Sequence, residues 1–119
     1  MSGDQTFPRN ERVTRTRDLD RVFTEGRRAR GPFMTLRVLD NGLPHARLGV
    51  ALSRGWSGAV ARNRAKRLLR EAYRTHKHLF PPGLDVVVVP RPNWRPPAMA
   101  ELVGEFERLL ARLSKDEEP

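Results

Sequence analysis

The sequence predicts an α+β fold in which helices pack on one small, four-stranded mixed sheet. Three observations carry this prediction. Residues 57–77 repeat small and apolar side chains at helical spacing, residues 84–89 form an apolar run that includes four consecutive valines, and residues 40–44 form a turn signal between two strand-like segments. With a helix expected near each end, the predicted order is α-β-β-β-α-β-α, a two-layer sandwich with a strand-helix-strand crossover.

One domain with a polar extension at each end is predicted. Residues 1–15 are polar, show no periodicity and carry three arginines, which indicates a flexible basic arm. Residues 16–113 contain every predicted element and have the size of a single domain. Residues 114–119 are rich in acidic side chains and are predicted to be a disordered acidic tail.

A short first helix is predicted to follow the arm. Thr16 is a candidate N-cap residue, because its hydroxyl can accept a hydrogen bond from the first turn. Leu19, Val22 and Phe23 then form an apolar set at the i, i+3, i+4 spacing, and Gly26 ends the helix. The segment therefore has one narrow apolar face for packing.

The next segments are rich in strand formers and are expected to pair as a hairpin. Residues 33–39 and 46–53 flank the turn at 40–44, and residues 27–30 are either a brief edge strand or a basic loop. The second strand of the hairpin has one apolar face, while its other face carries small side chains such as Gly49. That second face leaves room for a ligand or for a closely packed helix.

The central helix is predicted to start at a Ser57 cap and to run to about Lys77. One face holds Ala61, Ala65, Leu68, Leu69, Ala72 and His76. The other face is cationic, and the segment has seven Lys or Arg side chains against a single acid, Glu71. Like charges at this spacing repel one another, so the pattern predicts a polyanionic partner. A solvated face is the alternative, but such faces normally mix both signs.

Asn63 lies inside the cationic face, between Arg62 and Arg64. An arginine fork can hold a phosphate through two hydrogen bonds, and an amide placed between two forks can read a base edge or a 2′-hydroxyl. The motif is therefore a candidate contact to a nucleic acid.

The last part of the chain is predicted to be mostly scaffold. The valine run at 84–89 has the pattern of a central strand covered on both faces. Residues 91–97 form a proline-rich connector in which Trp94 is either a core plug or a stacking platform. The final helix has an apolar stripe opposite three acids, Glu101, Glu105 and Glu107.

Composition narrows the function classes. The chain has 119 residues and a formal net charge of +9, which indicates a nucleic acid or an anionic membrane as partner. The membrane is disfavoured because no apolar run approaches roughly 18 residues. The absence of cysteine fits a reducing cytoplasm. The three histidines, His45, His76 and His78, have no evident partners for a metal site.

Residues 58–74, G-A-V-A-R-N-R-A-K-R-L-L-R-E-A-Y-R, resemble the Arg-Asn-Arg signature of the bacterial ribonuclease P protein subunit. The segments R-L-G-V at 47–50 and D-V-V-V-V at 85–89 resemble the strands that flank this helix in the family. With the first helix included, the resemblance covers nearly residues 12–113. It implies a left-handed strand-helix-strand crossover, whereas general topology rules favour the right-handed form.

The resemblance also implies a function. Proteins of this family partner a large catalytic RNA, and together they cut the 5′ leader from precursor tRNA in the cytoplasm. The RNA, with bound Mg²⁺, performs the phosphodiester hydrolysis, so no catalytic residue and no metal ligand are expected in this chain. The expected partners are the catalytic RNA and precursor tRNA, and neither a membrane nor DNA.

Site residues follow from matching the motifs position by position. The residues expected to bind RNA are Arg62, Asn63, Arg64, Lys66, Arg67 and Arg70 of the signature helix, together with Arg74 of the same stripe. The residues expected in a leader-binding cleft are Leu19, Phe23, Arg37, Arg47 and Arg54. Leu19 stands where the family usually has Phe, Arg37 stands where an aromatic is common, and the segment 53–55 replaces a Ser-Lys-Lys pattern.

Three other functions compete with this hypothesis. A stand-alone RNA-binding protein, such as a ribosome-associated factor, needs the same charge but no catalytic RNA. A protein nuclease would use metal-bound carboxylates such as Asp40 and Asp85, but the acids are scattered singly. A sequence-specific DNA binder is disfavoured because the predicted helices do not form a helix-turn-helix.

Overall fold

The computed structural model describes residues 7–115. Its main elements are α1 (Thr16–Glu25), β1 (Arg27–Arg30), β2 (Met34–Asp40), β3 (Arg47–Val50), α2 (Ala59–Thr75), β4 (Leu84–Pro90) and α3 (Met99–Lys115). Two short 3-10 turns lie at Arg9–Glu11 and Lys77–Leu79. The predicted α+β class and element order are confirmed, and residues 27–30 form the edge strand rather than the loop.

The four strands form one mixed sheet in the order β1-β2-β4-β3. β2 is antiparallel to both β1 and β4, and β3 is parallel to β4, so α2 is the crossover between two adjacent parallel strands. The predicted hairpin between β2 and β3 is wrong, because β4 lies between them. The physical reason is burial: Val86, Val87 and Val88 are fully buried, and only a central position covers both faces of a strand.

The main core lies between one face of the sheet and helices α2 and α3. β2 contributes Met34, Leu36 and Val38 to it, and the tightest aromatic contacts join Phe80 to Tyr73 and to Phe106, with ring centroids 4.9 and 5.2 Å apart. α3 buries the apolar stripe that its sequence shows, with Leu102, Phe106, Leu109 and Leu113 facing inward. Each such side chain stabilises the fold by about 1.5–3 kcal/mol relative to exposure.

The sequence predicts that Glu105 lies on the exposed face of α3. In the structure its side chain is fully buried. Its Oε2 accepts hydrogen bonds from the backbone N–H groups of Phe33 and Met34, at 2.9 and 3.0 Å. Gly31 lies so close that an added Cβ would come within 2.5 Å of the carboxylate. The acid therefore ties α3 to the connection between β1 and β2.

The opposite face of the sheet is partly covered by α1 and by the segment before it. Val22 of α1 and Val13 pack on Val87 of β4, and Leu19 and Leu39 border this second cluster. The predicted boundary of the N-terminal arm at residue 15 differs from the structure here. Val13 is buried and its N–H donates to the carbonyl of Leu48, while residues 1–6 lie outside the described residues.

Both predicted helix caps differ from the structure. Thr16 is already the first residue of α1, and α2 begins at Ala59 behind Gly58, whose φ is +88°. Within residues 7–115, no side chain makes an N-cap hydrogen bond at either helix. Ser57 instead donates its backbone N–H and its hydroxyl to the side-chain oxygen of Asn93. α2 also ends at Thr75, earlier than expected.

α3 continues to Lys115, past residue 113, where the predicted domain ends. The rest of the predicted acidic tail, residues 116–119, lies outside the described residues.

Candidate nucleic-acid interface

The exposed side of α2 is the first part of the site. Helical periodicity turns one side to the core, where Ala65, Leu69, Ala72 and Tyr73 are buried. The exposed residues on the other side are Arg62, Asn63, Arg64, Arg67 and Arg70, with Lys66 half-buried at the edge. The sequence prediction of a cationic helix face is therefore matched by the geometry.

A hollow of about 340 Å³ opens on this side of α2. Its lining residues are Asn63, Lys66, Arg67, Arg70 and Glu71. An amide and three cations around one small depression suit a phosphate with its attached sugar, since guanidinium groups bind phosphate oxygens through paired hydrogen bonds. Glu71 borders the hollow as its one acidic residue.

Arg74, the last predicted RNA-binding residue, is half-buried and pairs with Glu71 one turn before it. The hydrogen bond from Arg74 lowers the pKa of the Glu71 carboxyl, and the same bond raises the pKa of Arg74. The charges of these two side chains therefore partly cancel. The net positive charge of α2 is greater toward its N-terminal half.

A cleft beside α2 is the second part of the site. Two hollows lie along it, of about 190 and 370 Å³. The smaller is lined by Phe7, Arg12, Val13, Thr14, Leu19, Leu48, Gly49, Val50 and Arg70. The larger is lined by Arg9, Asn10, Arg12, Thr14, Arg15, Asp18 and Arg47. Arg12 and Thr14 belong to both hollows, so the two are neighbours.

Gly49 sets how closely the cleft walls approach the sheet. An added Cβ would lie 3.0 Å from the Cβ of Val13 and 3.3 Å from a methyl group of Leu19. The small side chains on this face of β3 therefore allow close packing. Of the two explanations that the sequence offered, a ligand or a closely packed helix, the contact with Leu19 of α1 supports the second. The cleft remains open beside this contact rather than at it.

The N-terminal segment forms one wall and is fixed to α2 by polar and aromatic contacts. Glu11 accepts a hydrogen bond from the Tyr73 hydroxyl and pairs with Lys77, both at 3.0 Å. The ring of Phe7 lies 5.3 Å from that of Tyr73, and Arg12 lies over Phe7 at 4.7 Å. Burial, and then the bond to Glu11, raise the pKa of Tyr73 well above its usual value.

Phe23 and Arg37 form a pair at the other side of α1. Phe23 is 38% exposed, and the Arg37 guanidinium lies 4.9 Å from its ring centroid. Arg37 also donates to the Phe23 carbonyl at 3.2 Å, which holds the guanidinium in place. The pair offers a flat apolar surface and a cation side by side. A base of a single-stranded nucleic acid can stack on such a ring while its phosphate lies near the cation.

Arg47, another predicted cleft residue, is engaged within the protein. It donates to both oxygens of Asp85, at 2.7 and 2.6 Å, and lies 3.5 Å from Asp18 of α1. The bond to Asp85 raises the pKa of Arg47. Arg54 is exposed in the turn before α2. It is not among the described residues that line the two cleft hollows.

The cleft also contains residues that sequence reasoning did not assign to it. Phe7, Arg9, Arg12 and Arg15 line the two hollows, although their segment shows no periodicity. Two features of the sequence could have indicated this position: the positive charge of the segment and the apolar residue Val13 within it. Val13 is buried, which brings the neighbouring arginines to the sheet.

Asp40 and Asp85, the carboxylates of the nuclease alternative, do not form a metal site with each other. Asp40 pairs with Leu84 and Asp85 with Leu39, so the two acids lie on opposite faces of the sheet. Asp85 is already bound by Arg47 and by the Asn41 amide at 2.9 Å. Across the described part of the chain, no three His, Asp or Glu side chains are grouped to hold a metal ion. This geometry opposes the nuclease alternative.

No helix between residues 7 and 115 is long and apolar enough to cross a membrane.

Comparisons with known proteins identify the family. The Ribonuclease P family model matches residues 7–114. The ribonuclease P protein component of Thioalkalivibrio sulfidiphilus is 43% identical over 116 residues, which cover 96% of this chain and 95% of that protein. The protein component of Thermotoga maritima is 35% identical over 105 residues, covering 88% and 83%. The solved ribonuclease P protein from Thermotoga maritima superposes with a TM-score of 0.66 at 30% identity, covering 92% of this chain and 99% of that one. The chain thus belongs to the ribonuclease P protein family.

Proposed function

We propose that this protein binds the catalytic RNA of ribonuclease P through α2 and the single-stranded 5′ leader of precursor tRNA through the cleft. The observation that carries the proposal is the position of Arg70, which lines both the hollow on α2 and the smaller hollow of the cleft. One continuous basic surface therefore joins the two parts of the site. Such a surface can hold two RNA strands next to each other.

The cleft suits an extended strand rather than a duplex. Its hollows combine arginines with the exposed edges of Phe7 and Leu19 in a space of a few hundred Å³. Backbone charge and stacking, without base-edge readout, are the usual means of holding single strands with little sequence preference. Mature tRNA has no leader, forfeits these contacts and is released.

The cationic side of α2 suits the structured RNA partner. If about six of its cations contact phosphates, counterion release makes affinity fall with salt at a log-log slope of several units. Asn63 stands among these cations and can contact a base edge or a 2′-hydroxyl. This combination favours RNA over DNA.

Hydrolysis of the phosphodiester bond belongs, in this proposal, to the RNA partner with its Mg²⁺. The described residues of the protein offer no grouped ligands for that ion. The protein's contribution is to neutralise phosphates where the two RNAs meet, and its place of action is the cytoplasm. A stand-alone RNA-binding role uses the same surface, and the experiment below separates the two.

Reconstitution tests the proposal. Precursor tRNA and Mg²⁺ are incubated with the protein alone, with a bacterial ribonuclease P RNA alone, and with both, at low and at physiological salt. We expect cleavage at the mature 5′ end at physiological salt only with both components. Cleavage by the protein alone would refute the proposal, and failure to stimulate the RNA would favour the stand-alone binder.

A charge-matched pair of variants locates the RNA contact. Arg67→Ala with Arg70→Ala removes two cations from the hollow on α2. Arg108→Ala with Arg112→Ala removes two exposed cations from α3, where they lie near Glu105 and the Arg30 carbonyl. We expect the first pair to reduce the slope of affinity against salt by about two units and the second to leave it unchanged. Equal effects would mean that only net charge matters.

A further inference from the structure

An apolar pocket lies on the other flank of α2, away from the cleft. Its volume is about 170 Å³, and its lining residues are Trp56, Ala61, Arg64, Leu68, Trp94 and Pro96. Arg64 and Arg70 are six residues apart, which is about 120° around a helix, so this pocket and the cleft flank opposite edges of the cationic face. Neither tryptophan has a place in the function proposed above.

The two indoles are held in a fixed arrangement. Their ring centroids are 6.2 Å apart in an edge-on geometry. Asn93, which has a left-handed φ of 54°, accepts hydrogen bonds from Ser57 and donates to the Gly55 carbonyl at 2.7 Å. This contact joins the loop before α2 to the loop after β4. A non-glycine residue in this conformation is strained, so the surrounding contacts must stabilise it.

The pocket does not have the features of an ordinary core. Trp56 is 6% exposed, yet its indole N–H has no hydrogen-bond partner among residues 7–115, and a buried unpartnered donor costs free energy. Trp94 remains partly exposed at the mouth, next to the exposed Arg64. An aromatic surface at the entrance and a cation at the edge together fit a flat ligand that carries a negative charge.

The size of the pocket narrows the ligand further. Sites for drug-sized molecules have volumes of about 300 Å³ and more, so this pocket takes a single ring system rather than a peptide helix. We propose that it takes one unpaired nucleobase of the catalytic RNA, stacked on Trp94, with the adjoining phosphate on Arg64. This inference rests on the proposed function, since it presumes that α2 meets that RNA. It adds a base-binding site on the flank of α2 opposite the leader cleft.

Indole fluorescence reports on this pocket alone, because the chain has two tryptophans and both line it. The probes are adenosine, adenosine 5′-monophosphate, inorganic phosphate and the ribonuclease P RNA. We expect saturable quenching by the RNA, by the nucleotide and more weakly by the nucleoside, and none by phosphate. A change caused by phosphate alone, or by raising the protein concentration without ligand, would overturn the proposal in favour of an anion site or a second copy of the chain.

Variants then measure the contribution to RNA affinity. Trp94→Ala is expected to weaken binding of the ribonuclease P RNA by about 5- to 150-fold, the range found when a stacking side chain is removed. Trp94→Phe keeps a flat ring and is expected to retain most of the affinity. Arg64→Ala should weaken quenching by the nucleotide more than quenching by adenosine. Leu43→Ala, an exposed apolar residue in the turn after β2, is the matched control and should bind as the wild type does.

The outcomes separate the two proposals. If the wild-type protein binds the RNA but Trp94→Ala binds equally well and the RNA leaves the fluorescence unchanged, the pocket proposal is refuted and the proposed function stands. If the wild-type protein does not bind the RNA, the proposed function fails, and this inference fails with it. Circular dichroism of each variant checks the fold, and the wild-type quenching experiment requires no variant.

Discussion

Arg47 binds Asp85 with two hydrogen bonds, from Nε to Oδ1 at 2.7 Å and from Nη2 to Oδ2 at 2.6 Å. The two residues are register partners on the parallel strands β3 and β4, and their side chains are 20% and 6% exposed. Asn41 donates to the same carboxylate, and Asp18 of α1 lies 3.5 Å from Arg47. The arginine therefore links three elements at one wall of the cleft.

Arg47→Ala is expected to destabilise the fold by about 3 kcal/mol, because it leaves the buried Asp85 carboxylate without its cation. Urea unfolding monitored by circular dichroism measures this loss. Arg54→Ala, which removes an exposed arginine from the turn before α2, should change stability by less than about 0.5 kcal/mol. If Arg47→Ala kept full stability and lost only leader affinity, Arg47 would be a binding residue and its structural role would be refuted.

Phe23→Ala is expected to weaken binding of precursor tRNA by the reconstituted complex by about 1–3 kcal/mol, because it removes the exposed ring, expected to contact the leader, that Arg37 holds at the other side of α1. Affinity for mature tRNA should not change, since that molecule has no leader. Fluorescence anisotropy with leaders of different length measures the difference. Phe23→Tyr, which keeps the ring, is the matched control. An equal loss for precursor and mature tRNA would place Phe23 outside the leader site.

Glu105→Ala is expected to cost about 2–4 kcal/mol of folding free energy, because the N–H groups of Phe33 and Met34 would lose their shared acceptor. Glu105→Gln keeps an acceptor oxygen at the same position and should be much less damaging. Gly31→Ala should also destabilise the fold, since its Cβ would meet the Glu105 carboxylate. Thermal unfolding compares the three variants. A Glu105→Gln variant as unstable as Glu105→Ala would show that the negative charge, rather than the acceptor, is required.

The raised pKa of Tyr73 predicts that the protein loses stability at alkaline pH. Burial, and then the hydrogen bond to Glu11, raise its pKa above the ordinary value of about 10, so the unfolded chain loses the phenolic proton first. The stabilisation from this group is therefore fully present below pH about 10 and is lost as the pH rises above it.

Tyr73→Phe provides the control for this pH dependence. The variant should be less stable at neutral pH by about 1 kcal/mol, through loss of the bond to Glu11, and should show a shallower decline above pH 10. Unfolding free energies across the alkaline range, together with absorbance titration of the chain's single tyrosine, measure both effects. Parallel declines in the two proteins would assign the alkaline loss to other groups.

Short-range pattern was sufficient for much of this protein. The apolar positions of α2 and the cations opposite them follow from residues close together in the chain, and the valine run of β4 indicated a strand covered on both faces. The expected α+β class and element order followed from these segments and are confirmed. The Arg-Asn-Arg motif directed attention to α2, and the family to which the motif points is the one that the comparisons identify.

Long-range contacts decided the rest. β4 lies between β2 and β3 because, of the strands, it gains most from burial on both faces. A turn signal depends only on neighbouring residues, so it carries no information about the relative burial of distant strands. The sequence predicts that Glu105 is a surface acid. In the structure it is buried because the connection between β1 and β2 brings two N–H groups to its carboxylate. In the same way Val13 brings three arginines to the cleft, and Asp85 engages Arg47. The sequence by itself thus determined the helices and strands, except the edge strand at residues 27–30, and which helix carries the charge, because periodicity is a local property. Only the tertiary structure decided which cations line the cleft and which are held in ion pairs, because those partners are distant in the chain.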